Sequence, residues 1–286
     1  MKKNLILLAS SLLFFSCSRD DNSPVANNLK LSFKNTFGET EIVLGDKTST
    51  VATENTSEAG QVHHFSELKY VISNIRLVTS EGSEFPYNIN DLDEGAFVVN
   101  HADASSLEFL LNNIPANEYK QIKFGLGVRN DLNILDELRF PNFYRQAGEN
   151  DTEMMWEWGT GYRFVKIEGF YEADNKQMSI HTGSTLEDDD EGNLVQGVDA
   201  YRDIILDFPI NAVVDNNEPT IVIKADFDHL LSGNSHTITL STGNGGEDNA
   251  TPNIHTAVQM MKFVDNLGGD GKNDNKGMFS IFKIEN

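Results

Sequence analysis

The residue types that bind metal ions strongly are few in this chain. Cys17 is the single cysteine, so several thiolates cannot meet at one site and the chain has no internal disulfide. A metal ion would therefore be held by imidazole, carboxylate, carbonyl or thioether groups. The seven histidines are His63, His64, His101, His181, His229, His236 and His255.

Both tryptophans lie in one short run, MMWEWGTGYRFVKIEG, which covers residues 154–169. Trp156 and Trp158 are two residues apart, so in a strand they share one face. The ordinary interpretation is a large apolar element of the core. The alternative is oxidation chemistry, or an electron relay, at an indole ring.

One polar loop offers oxygen ligands for a harder metal ion. Asp188, Asp189, Asp190, Glu191 and Asn193 are the carboxylate and amide groups that calcium prefers. Their spacing differs from that of an EF-hand, and a solvated loop is the alternative interpretation. Calcium is therefore a candidate cofactor.

The N-terminus is typical of an export signal. Two lysines precede an apolar run over residues 5–15, which is shorter than the roughly 20 residues that span a bilayer. Ser16-Cys17 closes this run and resembles a bacterial lipobox, so we expect cleavage after residue 16 and lipidation of Cys17. A secreted protein with an unused thiol is the alternative.

The organisation that follows has three parts. Residues 1–16 are the lipoprotein signal peptide, residues 17–28 a lipid-anchored flexible tether, and residues 29–286 a single β domain. A basic residue followed by acidic ones just past Cys17 resembles the surface-export signal of Bacteroidetes lipoproteins. The sequence thus predicts an outer-membrane lipoprotein, on the surface or on the periplasmic face.

Charge excludes one class of partner. The chain has 44 acidic and 22 basic residues, a formal net charge of −22. An anionic surface repels phosphate groups, so we expect no binding to nucleic acid. Contact with a membrane is expected through the lipid anchor.

Strand patterns dominate the mature chain. Ile221, Ile223 and Ala225 alternate with polar residues, with the period of two that turns one face inward. Ile204, Leu206, Phe208 and Ile210 alternate in the same way, and Ser73-Asn74 breaks the alternation that begins at Leu68. Helices are predicted from Ser105 or Ser106 through Leu111 and over residues 252–264. The fold class is all-β, a sandwich or jelly-roll-like single domain with a few short helices.

Five segments, taken in order, resemble the MbnP-like family of exported, copper-binding proteins associated with methanobactin operons. They are residues 65–77 (FSELKYVISNIRL), 114–128 (IPANEY leading into FGLGV), the tryptophan run, 180–185 (IHTGST) and 253–255 (NIH). The last of these segments precedes a predicted helix, and Met278-Phe279 follows near the end of the chain.

The resemblance implies a copper site. In copper-binding members two histidines from separate segments hold the ion, and a tryptophan two residues before the first one is oxidised to kynurenine. Carried over, the ligands are His181 and His255, with His63 as a candidate third ligand. Position 179 is serine, so Trp156 and Trp158 are the candidates for oxidation.

The resemblance also implies partners. They are a di-haem redox partner similar to cytochrome peroxidases, which oxidises the tryptophan, and an outer-membrane uptake receptor. The predicted function is copper binding for storage, transfer or acquisition, without enzymatic activity. The alternative, which Ser179 favours, is a binding lipoprotein of the same fold that has lost the copper site. A hydrolase has only the acidic loops in its favour.

Overall fold

The computed structural model describes residues 27–148, 153–156, 161–189, 191–243, 249–254, 257–271 and 277–286. Strands make up most of the regular structure in this part of the chain. They are β1 (Leu29–Phe37), β2 (Thr40–Glu41), β3 (Asn55–Thr56), β4 (Val62–Thr79), β5 (Glu84–Tyr87), β6 (Phe97–Asn100), β7 (Glu108–Leu111), β8 (Asn117–Leu126), β9 (Arg163–Tyr171), β10 (Lys176–Gly183), β11 (Leu186–Asp188), β12 (Leu194–Gln196), β13 (Arg202–Val214), β14 (Thr220–Asp226), β15 (Thr239–Leu240), β16 (Asn249–Ala250), β17 (Asn253–Ile254) and β18 (Phe279–Glu285).

The helical elements are short. The α-helices are α1 (Leu92–Gly95), α2 (Pro141–Gly148) and α3 (Ala257–Gly268), and the 3₁₀ turns are Ala104–Leu107, Asn130–Leu132 and Phe227–Leu230. No helix in the described ranges is long and apolar enough to cross a membrane.

Two β-sheets form the body of the protein. The larger has the order β13-β8-β4-β9-β10-β17, and β3, β5 and β6 also pair with β4. The smaller has the order β18-β14-β1-β2, and β7 pairs with the first half of β1. The 18-residue strand β4 therefore organises the larger sheet, because five other strands pair with it or with its ends.

Aromatic side chains fill the space between the sheets. The Tyr70 ring on β4 lies 6.0 Å from Phe33 on β1 and 5.8 Å from Phe279 on β18. Phe124 on β8 lies 5.2 Å from Phe279, edge to face. These contacts identify the inner faces and confirm the prediction of an all-β sandwich-like fold.

The predicted break in β4 is a β-bulge. Pairing with β8 shifts register between Ser73 and Arg76, and Asn74 has a φ of +50°, in the left-handed region that asparagine tolerates. The Ser73 hydroxyl donates to the carbonyl of Gly127 at 2.6 Å, and the Asn74 amide donates to the Tyr201 hydroxyl at 2.8 Å. Within residues 65–77, the first of the segments that resemble the family, Ser73-Asn74 thus has a structural role.

The predicted helix through Leu111 is wrong. Asp103 caps a single 3₁₀ turn, Ala104–Leu107, and Glu108–Leu111 then forms β7 against β1. Phe109 and Leu111 are buried on alternate positions of that strand, so tertiary pairing outweighs the local helical signal. The second predicted helix is present as α3 but begins at Ala257, since Asn253–Ile254 is a strand.

The predicted inward face of β13 is correct only in its first half. Ile204 and Leu206 are buried, but Ile210 is 56% exposed. The pairing of β13 with β8 is interrupted between Asp207 and Ala212, so Ile210 lies in an irregular stretch, and the same face turns inward again at Ala212 and Val214.

Candidate functional site

A cleft of about 780 Å³ lies on the outer face of the larger sheet. Strands β4, β9 and β10 form its floor, and the segment 153–156, which follows α2, forms one wall. Floor residues include Glu67, Lys166, Glu168 and His181, and wall residues include Glu153, Met155 and Trp156.

Strand register arranges the polar side chains of the floor in two rows. Lys166 on β9 pairs with Lys69 on β4 and with His181 on β10, so one row is basic. Glu168 pairs with Glu67 and with Ser179, so the next row carries two carboxylates and a hydroxyl. The rows are two residues apart on each strand, which puts all six side chains on one face.

Glu168 holds His181 in place. Nε2 of His181 lies 2.6 Å from Oε1 of Glu168, and the Ser179 hydroxyl donates to the same oxygen at 2.9 Å. Burial raises the pKa of Glu168, but the hydrogen bonds from His181 and Ser179 and the charge of Lys166 outweigh burial, so its pKa lies below the usual value. The ionised carboxylate fixes the imidazole tautomer with the proton on Nε2.

Ser179, His181 and Glu168 do not form a nucleophile–base–acid relay. In such a relay the serine and the carboxylate bind opposite ring nitrogens of the histidine. Here Ser179 Oγ lies 3.4 Å from Nε2, the atom that also contacts Glu168. The geometry favours an oriented imidazole and gives no support to hydrolysis by this serine.

Two lysines, Lys69 and Lys166, are buried in the floor and share the carboxylate of Glu67. Oε1 of Glu67 lies 2.5 Å from Nζ of Lys69 and 2.9 Å from Nζ of Lys166. Lys166 also forms an ion pair with Glu153 of the wall. Burial lowers the pKa of Lys166, but its hydrogen bonds to Glu153 and Glu67 reverse this effect and leave the pKa above the usual value.

Trp156 packs beside His181. The two ring centroids are 6.1 Å apart, and the guanidinium of Arg163 lies 5.2 Å from the centre of the indole, within the range of a cation–π contact. The indole nitrogen lies against Gly183, because a Cβ built on that glycine would be 2.4 Å from Nε1. The nitrogen is buried and has no hydrogen-bond partner in the described part of the chain.

Local contacts position Trp156 over the cleft. The amide of Met154 donates to the carbonyl of Ala147 at the end of α2, and the amide of Trp156 donates to the carbonyl of Gly161. Helix α2 is anchored in turn by Phe143, whose ring lies 4.9 Å from that of Tyr162. The wall of the cleft is therefore tied to α2 at one end and to the residues just before β9 at the other.

His63 lies away from the cleft. His63 pairs with Tyr171 of β9, whereas His181 pairs with Lys166 of the same strand. These two positions on β9 are five residues apart, which is about 16 Å along the strand, and an odd separation puts their side chains on opposite faces of the sheet. Its ring contacts Phe37 at 5.3 Å in the core. Burial lowers the pKa of His63, so a neutral core residue describes this histidine better than a ligand beside His181.

Three other predicted residues cannot be placed. Cys17, Trp158 and His255 lie outside the described residues. The strand immediately before His255 is described: Asn253 and Ile254 pair in parallel with Ser179 and Ile180 of β10.

The candidate calcium loop is a turn in the residues that are described. The Asp189 carboxylate accepts hydrogen bonds from the backbone of Glu191 and of Asn193, and these bonds lower its pKa. Asp190 lies outside the described residues. Across the described ranges as a whole, no three His, Cys, Asp or Glu side chains are grouped so as to hold a metal ion.

Sequence reasoning missed the charged floor. Glu67-x-Lys69 and Lys166-x-Glu168 each place two charged residues on one face of an otherwise apolar strand. That spacing was the available signal, since a charged pair at i and i+2 marks a solvated or functional face.

The fold and the cleft define a β-sandwich protein with an oriented histidine beside a tryptophan. The sequence model of the MbnP family matches residues 26–262, and the chain belongs to that family. The predicted resemblance is thereby confirmed. The structure of MbnP from Methylosinus trichosporium is similar, with a TM-score of 0.54 and 14% sequence identity, over 91% of this chain and 99% of that chain. A search of curated proteins finds no match.

Proposed function

We propose that this protein is an exported lipoprotein that binds copper as cargo, for storage, transfer or acquisition. His181 is the imidazole ligand in the proposal. Family membership supports a role related to copper, and the observation that carries the proposal is the 2.6 Å contact between Nε2 of His181 and Oε1 of Glu168.

The form of this contact suits a metal ligand. Histidines that bind metals commonly donate their other ring N–H to a carboxylate, which fixes the tautomer and makes the ring more basic. In the tautomer that donates from Nε2 to Glu168, the lone pair is on Nδ1, the atom we assign to copper. Imidazole suits both copper oxidation states, and copper(I) accepts two imidazoles.

His255 is the proposed second ligand. The pairing of Asn253–Ile254 with Ser179–Ile180 supports this assignment, because it brings the residue before His255 alongside the residue before His181.

Trp156 is the proposed site of oxidation. It supplies an indole beside His181, which Ser179 cannot do from within β10. Oxidative cleavage of the indole C2–C3 bond, with two oxygen atoms from the dioxygen or peroxide that the partner would activate, gives N-formylkynurenine. Hydrolysis then releases the formyl carbon as formate and leaves kynurenine, whose aryl amine is a further nitrogen donor. The oxidant would be the di-haem, peroxidase-like partner, and release of copper would involve the uptake receptor. Lipidation at Cys17 would hold the protein at the outer membrane.

The test is a copper titration of the domain that begins after Cys17, in competition with a chromogenic copper(I) chelator. We expect stoichiometric binding that is lost in His181→Ala and in His255→Ala and kept in the control His236→Ala. Mass spectrometry of the peptide containing Trp156 reports its oxidation after native expression. Equal copper binding by the three variants would reject the assignment.

The second candidate function is a lipoprotein of the same fold without copper. Ser179 favours it, because this serine stands where copper-binding relatives are expected to have the tryptophan that becomes kynurenine. Failure of the wild-type protein to bind copper would support this alternative.

A further inference from the structure

Lys166 is the most enclosed cation of the cleft. Its side chain is 4% exposed, yet its ammonium group reaches two carboxylates, one from the floor and one from the wall. A charge buried to this degree needs a carboxylate partner at all times.

The two carboxylates differ in how firmly they are held. Glu67 belongs to β4, is 26% exposed and is shared between Lys69 and Lys166. Glu153 lies in the segment after α2, and its side chain is 64% exposed. Lys166 thus keeps Glu67 as a fixed partner while Glu153 reaches it from the solvent side. The exposure of its side chain therefore favours Glu153 as the partner that another carboxylate can replace.

Apolar surface lines the same cleft as this ammonium group. Trp156 and Met155 line the cleft together with Lys166, and the cavity of about 780 Å³ has room for a small organic molecule. A ligand that replaced Glu153 would place its carboxylate at Lys166 and its body against the indole.

We propose that the cleft binds a small organic acid with an aromatic or apolar body, that Lys166 anchors its carboxylate, and that Glu153 is an internal carboxylate which the ligand displaces. The ligand would share the cleft and the Trp156 indole with the proposed copper site, so its binding is tested on protein whose metal content has been shown to be negligible. No carboxylate chelator is present in the buffer, since a chelator would itself compete.

The probes are benzoate and benzamide, which share a ring and differ in charge. Binding is followed by calorimetry and by the fluorescence of the purified protein. In Glu153→Ala we expect benzoate to bind at least about tenfold more tightly than in the wild type, because its competitor is gone. Benzamide should bind weakly and equally to both.

The matched control is Glu39→Ala. Glu39 is also an exposed carboxylate, 84% exposed, that pairs with a largely buried lysine, Lys224 at 2.9 Å, on the other sheet. This variant should bind benzoate as the wild type does. A variant Lys166→Gln should lose benzoate binding.

Three results would overturn the proposal. They are equal benzoate affinity in the wild type and Glu153→Ala, an equal gain in Glu39→Ala, and benzamide binding that matches benzoate binding in Glu153→Ala. If Lys166→Gln does not fold, the comparison of Glu153→Ala with Glu39→Ala decides alone. Because copper is absent throughout, failure here leaves the copper titration unaffected.

Discussion

Oε1 of Glu168 lies 2.6 Å from Nε2 of His181 and 2.9 Å from Oγ of Ser179. One carboxylate oxygen therefore orients the imidazole of the candidate site and binds the serine that stands where copper-binding relatives are expected to have tryptophan. Through this oxygen, Ser179 is in contact with the same carboxylate as His181, the proposed copper ligand.

The first prediction concerns that oxygen. Glu168→Gln removes the charge that stabilises the Nε2–H tautomer while it keeps the size of the side chain. We expect copper affinity to fall about 10- to 100-fold, the usual effect of losing a carboxylate behind a histidine ligand. Competition titration measures the affinity, and circular dichroism checks the fold.

Glu285→Gln is the control for this prediction. Glu285 is an exposed carboxylate at the end of β18, paired with Lys283, and its neutralisation should not change copper binding. Unchanged affinity in Glu168→Gln, together with lost affinity in His181→Ala, would contradict the orienting role.

The second prediction concerns Gly183 and Trp156. In Gly183→Ala the new Cβ would lie 2.4 Å from the indole nitrogen and 3.0 Å from the carbonyl oxygen of Tyr162, so the indole must shift. We expect the tryptophan emission to move to longer wavelength and the free energy of unfolding to fall by about 1–3 kcal/mol.

A matched variant separates this effect from general overpacking. In Gly125→Ala the Cβ would lie 2.4 Å from the ring of Tyr201. Stability should fall by a similar amount while the tryptophan emission stays as in the wild type. An emission shift of equal size in Gly125→Ala would argue against the packing of Trp156 on Gly183.

The third prediction compares two tyrosines buried to the same extent. The Tyr70 hydroxyl donates to Asn35 at 2.9 Å, the Asn35 amide contacts Nδ1 of His101 at 3.1 Å, and Nε2 of His101 contacts the carbonyl of Ile42 at 2.8 Å. Tyr70→Phe leaves the buried Asn35 oxygen unsatisfied and should cost about 1–3 kcal/mol of unfolding free energy.

Tyr162→Phe is the counterpart. The Tyr162 hydroxyl is buried without a hydrogen-bond partner in the described part of the chain, so its removal should leave the free energy of unfolding unchanged or higher. Urea denaturation measures both variants. Equal losses in the two would show that the polar network around Tyr70 contributes nothing specific.

The fourth prediction concerns pH. Burial lowers the pKa of His63 in the folded protein below the ordinary value of 6.5. As pH falls through 6.5 the unfolded chain takes up a proton that the folded core still refuses, so the free energy of unfolding decreases. His63→Leu should reduce this decrease between about pH 6.5 and pH 5. Denaturation in urea across this range measures it, and an unchanged slope would place His63 in contact with solvent.

The local pattern of apolar residues predicted several strands correctly. Ile221, Ile223 and Ala225 are buried on one face of β14, and the break at Ser73-Asn74 in β4 is present as a bulge. These features depend on an alternation of period two and on a backbone conformation that asparagine tolerates, so neighbouring residues suffice to predict them.

Prediction from neighbouring residues failed where contacts between distant segments of the chain determine the local structure. Glu108–Leu111 became a strand because β1 offers it an edge, and Ile210 turned outward because the pairing of β13 with β8 shifts nearby. Neither partner is visible in the local sequence.

By itself, the sequence determined the family and the β class, and it contains the charged pairs Glu67-x-Lys69 and Lys166-x-Glu168 without revealing their role. Only the tertiary structure decided that these pairs face each other in register, that Trp156 packs beside His181, and that His63 lies on the opposite face. Side-chain alternation is a property of each strand alone, whereas strand order and register depend on pairing between segments far apart in the chain.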